Sequence, residues 1–122
     1  MKSLLNPALF CYAIPSTSFL ANSTTTPQVT ISSDADFDLI EIRATKHAAG
    51  AILLQMSSAN GDLFSNVPLD TLLFAEDSYP VRLPFPVRIP ANSQINFEVQ
   101  NTTGGALTSQ IQLWGVKVSK AF

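Results

Sequence analysis

Residues 80–90, PVRLPFPVRIP, constrain the fold more than any other stretch of this chain. Val81, Leu83, Phe85, Val87 and Ile89 alternate with Pro80, Arg82, Pro84, Pro86, Arg88 and Pro90. A strict period of two puts every apolar side chain on one face of an extended chain. Proline has no N–H for a sheet ladder, so four of them exclude the interior of a sheet. Three forms remain: an edge strand, two short strands broken near Pro84-Pro86, or a strap across the core. Prolines and arginines also keep such an edge from recruiting foreign strands.

The same alternation recurs along the chain. In residues 94–100, Ile95, Phe97 and Val99 oppose Gln94, Asn96, Glu98 and Gln100, a half-buried antiparallel strand. Asn101-Thr102-Thr103-Gly104-Gly105 reads as a turn, and a last strand runs from Leu107 to Ser119. Its apolar parity slips between Leu113 and Val116, which predicts a β-bulge at Trp114-Gly115. Upstream, residues 28–31, 37–45 and 51–57 read as strands. Phe37 and Leu39 lie on the opposite parity to Ile40 and Ile42, which predicts a second bulge or a strand buried on both faces. Residues 8–20 form an opening strand, followed by a polar turn over 21–26. Residues 68–75 predict one or two helical turns, with Pro68 at the first position and Leu69, Leu72 and Leu73 inward. Short strands about ten residues apart, with no long amphipathic helix, indicate an all-β sandwich or barrel, and the expectation is an antiparallel β-sandwich of seven to eight strands with one short helical insert.

Length and composition fit one domain. The chain has 122 residues; residues 1–7 read as an N-terminal arm and 8–122 as a single β-sandwich domain. Lys2 and the apolar residues from Leu4 to Ile14 loosely imitate a secretory signal, but Asn6, Pro7 and Pro15 interrupt them, and an arm plus a first strand is the better reading. No apolar run is long enough for a membrane-spanning helix. A net charge of −2 argues against nucleic acid or an anionic membrane as the main partner. Charged residues make up 13% of the chain, against about 25% in an average domain. The polar surface is therefore mostly Ser, Thr, Asn and Gln. Such a surface suits an ordinary Thr-rich β protein or a subunit covered by its neighbours.

Candidate chemistry is sparse. Asp34, Asp36 and Asp38 alternate as in a calcium loop, but Leu39 and Thr45 stand where an EF-hand needs Gly and Glu. His47 stands alone in a turn-like context, and Cys11, flanked by Phe10 and Tyr12, reads as a packing or interface thiol. A single cysteine excludes an internal disulfide. A glycosidase would need two carboxylates across a cleft, with Glu41 and Glu98 as the strand-borne candidates. Asn22-Ser23-Thr24 and Asn101-Thr102-Thr103 match the N-glycosylation acceptor. Trp114 and Tyr79 are candidate sugar-stacking aromatics, although Trp114 beside a bulge also suits a core or an interface. The expectation is a protein that is not an enzyme and needs no cofactor or metal.

Several ordered segments carry a resemblance: Phe19-Leu20-Ala21 with its Thr-rich turn, Asp34-Ala35-Asp36-Phe37, Leu83-Pro84-Phe85-Pro86, Pro90-Ala91-Asn92-Ser93, Asn101-Thr102, and Leu113-Trp114-Gly115-Val116-Lys117. Together the chain resembles small structural proteins of tailed bacteriophages, found as capsid cement or decoration subunits or other minor virion components. The resemblance implies a jelly-roll-like sandwich without catalytic residues, located on the virion after synthesis in the host cytoplasm. It implies the major capsid protein and copies of itself as partners, with no nucleic acid and no membrane. The interface residues expected on this reading are Met1, Lys2, Leu4, Leu5 and Pro7 in the arm, and Pro84, Phe85, Pro86 and Arg88 in the proline-rich segment. The alternative is a carbohydrate- or receptor-binding module of a phage tail or fibre.

Overall fold

The computed structural model describes residues 8–58, 64–75 and 81–119, with no side chains described at Ala8, 81–85 and Ser119. Among them are nine strands: β1 (Ala8–Phe19), β2 (Ser23–Thr25), β3 (Gln28–Thr30), β4 (Ala35–Ala44), β5 (Ile52–Ser58), β6 (Leu69–Asp70), β7 (Val81–Ile89), β8 (Gln94–Asn101) and β9 (Leu107–Ser119). They form two antiparallel sheets. Sheet A has the order β1-β9-β4-β7. Sheet B has the order β2-β8-β5-β6, with β3 also on β8. Because β2 and β3 pair successive parts of β8, they act as one strand interrupted at Thr26-Pro27, where proline cannot donate. Counted that way, the sheets hold four strands each and follow the order of a jelly roll.

The core lies between the inner faces. Tyr12, Ile14 and Phe19 from β1, Phe37, Leu39 and Ile42 from β4, and Ile111 and Leu113 from β9 meet Ile52, Leu54 and Met56 from β5 and Ile95, Phe97 and Val99 from β8. Each strand supplies these by alternation, as the period-two pattern requires. Burying side chains of this kind contributes about 1.5–3 kcal/mol each before the entropy cost of ordering the chain.

Sheet A departs from ideal pairing at three places. On β1 the register to β9 shifts between Ile14 and Thr17, placing Pro15 in a bulge where its missing N–H costs nothing. On β4 the shift falls between Leu39 and Glu41: Leu39 faces Gly115 and Glu41 faces Trp114, so Ile40 is the inserted residue. Inward parity accordingly changes from Ala35, Phe37 and Leu39 to Ile42 and Ala44. The bulge expected at Trp114-Gly115 is absent, since β9 keeps Ser109, Ile111, Leu113 and Gly115 buried in unbroken alternation; the second bulge expected within residues 37–45 is the one at Ile40. The third departure is on β7. Leu39 pairs with Val87 and Glu41 with Arg82, so residues 83–86 stand against Ile40 alone. The proline-rich segment is thus an edge strand that leaves the ladder where its two interior prolines lie.

Two other local expectations are corrected. The polar segment 21–26 contains β2. The helical insert is one 3-10 turn, Thr71–Phe74, whose N-cap is Asp70: its side chain accepts from the Leu72 N–H at 3.0 Å. Pro68 does not start it. Thr71, Phe74 and Ala75 are buried, whereas Leu73 is 55% exposed and Leu69 and Leu72 are only half-buried. A 3-10 turn has three residues per turn, so the spacing that would align Leu69, Leu72 and Leu73 on an α-helix does not apply.

Candidate functional site

The outer face of sheet A is the surface with the most unusual chemistry. The β4 bulge turns both Glu41 and Arg43 outward, and the antiparallel register brings Cys11, Trp114 and Glu41 side by side across β1, β9 and β4. The next outward row holds Leu9, Val116 and Asp38. Leu9 is 73% exposed, while Trp114, Val116 and Ile40 are half-buried. Leu9, Ile40, Glu41, Arg43, Trp114 and Gly115 line a shallow groove of about 440 Å³. Within it, Arg43 Nε donates to Glu41 Oε2 at 2.6 Å, and Trp114 Nε1 donates to Gln112 Oε1 at 2.9 Å. The indole is thus fixed with its polar edge satisfied. An aromatic plate beside a carboxylate and a guanidinium can pack against a protein surface or stack on a sugar ring.

Cys11 belongs to the same face. Burial pushes its thiol pKa up, against a smaller lowering by a backbone hydrogen bond at Leu113, so the neutral thiol dominates near pH 7.

The three alternating aspartates are occupied by protein partners. Asp38 forms a two-pronged pair with Arg88, through Nε to Oδ1 and through Nη2 to Oδ2 at 3.2 Å. Asp36 accepts the Ala91 N–H at 2.9 Å and lies 3.6 Å from Arg88 Nη1. Asp34 meets Lys117 Nζ at 3.2 Å. The Lys117 ammonium also sits 4.1 Å from the centre of the Phe10 ring, capping one end of the core. Among the described residues no group of three His, Cys, Asp or Glu side chains is placed to hold a metal ion.

Other candidates separate in space. Glu41 and Glu98 face outward from opposite sheets and do not meet across a cleft. His47 follows β4 in a loop, half-buried, with Nε2 unpartnered among the described residues. Asn101 is 1% exposed: Nδ2 donates to the Phe19 and Gly105 carbonyls at 3.0 Å each, and Oδ1 accepts from Thr103 N and Oγ1 at 2.9 and 2.7 Å. Its amide is a structural clamp joining the β8–β9 turn to the end of β1, inaccessible to a glycosylating enzyme. Asn22, by contrast, is exposed in a turn at φ 49°.

Of the expected interface residues, Pro86 and Arg88 lie exposed on β7 at the far edge of sheet A from Leu9. Arg88 is engaged with Asp36 and Asp38. Pro84 and Phe85 fall in β7, but their side chains lie outside the described residues, as do Met1, Lys2, Leu4, Leu5, Pro7 and Tyr79 altogether. Sequence reasoning missed Leu9, Ile40 and Arg43, and weighed Glu41 only as a partner for Glu98. The β1–β9 register places Leu9 near Trp114, and the β4 bulge places the other three there. A separate apolar cleft of about 350 Å³ opens between the sheets, lined by Leu39, Ile42, Leu54, Met56, Phe74 and Val87 among others.

No protein-family model matches the chain, and no curated protein matches it significantly.

Proposed function

We propose that this is a virion structural protein, a cement or decoration subunit that binds the major shell protein of a phage head and stabilises it through protein–protein contacts. The observation that carries the reading is the apolar patch of Leu9, Trp114 and Val116, exposed or half-buried in two adjacent cross-strand rows on the outer face of sheet A. Contiguous apolar surface of this kind marks interaction sites. The jelly-roll order supplies a rigid support, and repetition over a symmetric shell lets modest individual affinities suffice. On this reading the chain functions on the particle. The test is to locate it in purified virions by mass spectrometry and cryo-electron microscopy, and to measure binding of Leu9→Asp and Val116→Asp variants to heads lacking the protein. Occupancy at symmetric positions, with binding lost in both variants, supports the reading. Absence from particles ends it.

A second reading, a carbohydrate- or receptor-binding module of a tail or fibre, is favoured by the groove itself, where Trp114 stands beside Glu41 and Arg43. Glycan-array binding abolished by Trp114→Ala, with folding intact, would establish it in place of the first.

A further inference from the structure

The two edges of sheet A are built differently. β7 carries Arg82 and Arg88 with two interior prolines, and its ladder breaks at residues 83–86. β1 is 12 residues long, ALFCYAIPSTSF, without a single charge. Among the described residues it pairs with β9 alone. Half of its backbone donors and acceptors therefore face away from the sheet, and the stretch before Pro15 carries no charge, proline or bulge to guard it.

The sequence also sets the extent and centre of what can pair there. Pro7 and Pro15 lack donors, and Pro15 marks the start of the β1 bulge. Between them, Ala8–Ile14 is an uninterrupted seven-residue run in regular register with β9. Its midpoint is Cys11.

We propose that β1 is a self-pairing edge: two copies of this chain join antiparallel along Ala8–Ile14 about a twofold axis at Cys11, fusing two four-stranded sheets into one of eight. The occupant follows from charge and geometry. A twofold axis sets each residue near its own copy, so a charge close to it would repel itself; β1 has none, whereas two β7 edges would bring arginines together. Pairing β1 with β7 is disfavoured by the donors that Pro84 and Pro86 lack. In the symmetric register, Cys11 faces Cys11 and Leu9 faces Ala13 of the second copy. The outer-face apolar rows of both copies then become one continuous surface. This deepens the assembly reading, because the doubled surface is what a shell lattice would contact.

A seven-residue ladder buries less than a standard interface, so the dimer in solution is weak and dissociates on dilution. Sedimentation velocity from micromolar to millimolar protein should show a monomer–dimer equilibrium. Cys11→Lys should weaken it about fivefold or more by placing like charges opposite each other, whereas Cys11→Thr should not. A short bismaleimide should link wild-type chains through Cys11. Register is checked at Leu9, which is exposed, and Ala13, which is half-buried. Leu9→Cys/Cys11→Ser mixed with Ala13→Cys/Cys11→Ser should crosslink as a heterodimer. Leu9→Cys/Cys11→Ser alone should not, because those two positions would lie about 14 Å apart along the strands. A monomer at all concentrations, a dimer indifferent to Cys11→Lys, or crosslinks that ignore the register overturns the proposal. If Cys11→Lys fails to fold, the 9–13 crosslink decides alone. A dimer of this kind from a protein absent from virions would sink only the virion reading; a virion protein that stays monomeric here would sink only the pairing.

Discussion

The backbone carbonyl of Asp38 lies so close against Gly115 that a Cβ there would overlap the oxygen and stand 2.9 Å from Phe37 Cζ. This contact follows from the neighbouring β4 bulge, which draws the two strands together opposite Ile40. Gly115→Ala should cost about 2–3 kcal/mol, because the obstacle is backbone and an aromatic core ring rather than a flexible side-chain end. Urea unfolding should show a lower midpoint at an unchanged slope.

Asn101 should be intolerant of a change that leaves its shape intact. In Asn101→Asp, a carboxylate oxygen replaces the amide that donates to the buried Phe19 carbonyl and the part-buried Gly105 carbonyl, so both acceptors face a buried charge. The expected loss is about 3 kcal/mol or more, greater than for Asn101→Ala, measured by urea or thermal unfolding at neutral pH. In a glycosylating host, peptide mapping should find Asn101 unmodified.

The Asp–Arg cluster on sheet A should matter less than its geometry suggests. Arg88 is 54% exposed, so Arg88→Ala should cost under about 1 kcal/mol, and less in high salt. Because Asp34, Asp36 and Asp38 already have protein partners, millimolar calcium should leave Tm unchanged. A clear upward shift would show that a cation displaces them.

Cys11 should react slowly for a cysteine. Only the thiolate is alkylated, and burial holds its pKa above the ordinary thiol value. At pH 8 the folded protein should therefore react with maleimide more slowly than the urea-unfolded chain. The rate should climb about tenfold per pH unit and level off only above the unfolded chain's plateau.

The alternation in residues 94–100 and 107–119 was enough to locate β8 and β9, because a sheet with one buried face writes its pleat into the sequence. The prolines of residues 80–90 likewise confined β7 to an edge. Bulges were harder to place. The parity slip at Trp114-Gly115 marks no bulge on β9, because Gly115 can lie buried without an apolar side chain, whereas the parity change between Leu39 and Ile42 does mark the bulge at Ile40. The β2 strand was hidden by Thr-rich, exposed residues that also suit a turn, and only pairing with β8 makes it a strand. The groove depends on cross-strand register, so Leu9, Glu41 and Arg43 could not be joined to Trp114 from spacing alone.

In sheet A the last strand, β9, lies between β1 and β4, with Ala8 opposite Lys117 and Ala35 opposite Ser119. During synthesis, β1 and β4 must therefore wait for their common neighbour to leave the ribosome. Sheet A closes late and slowly, because the contacts that complete it join residues about a hundred positions apart. A nonsense codon anywhere before β9 would release a polypeptide with half its sandwich unable to form.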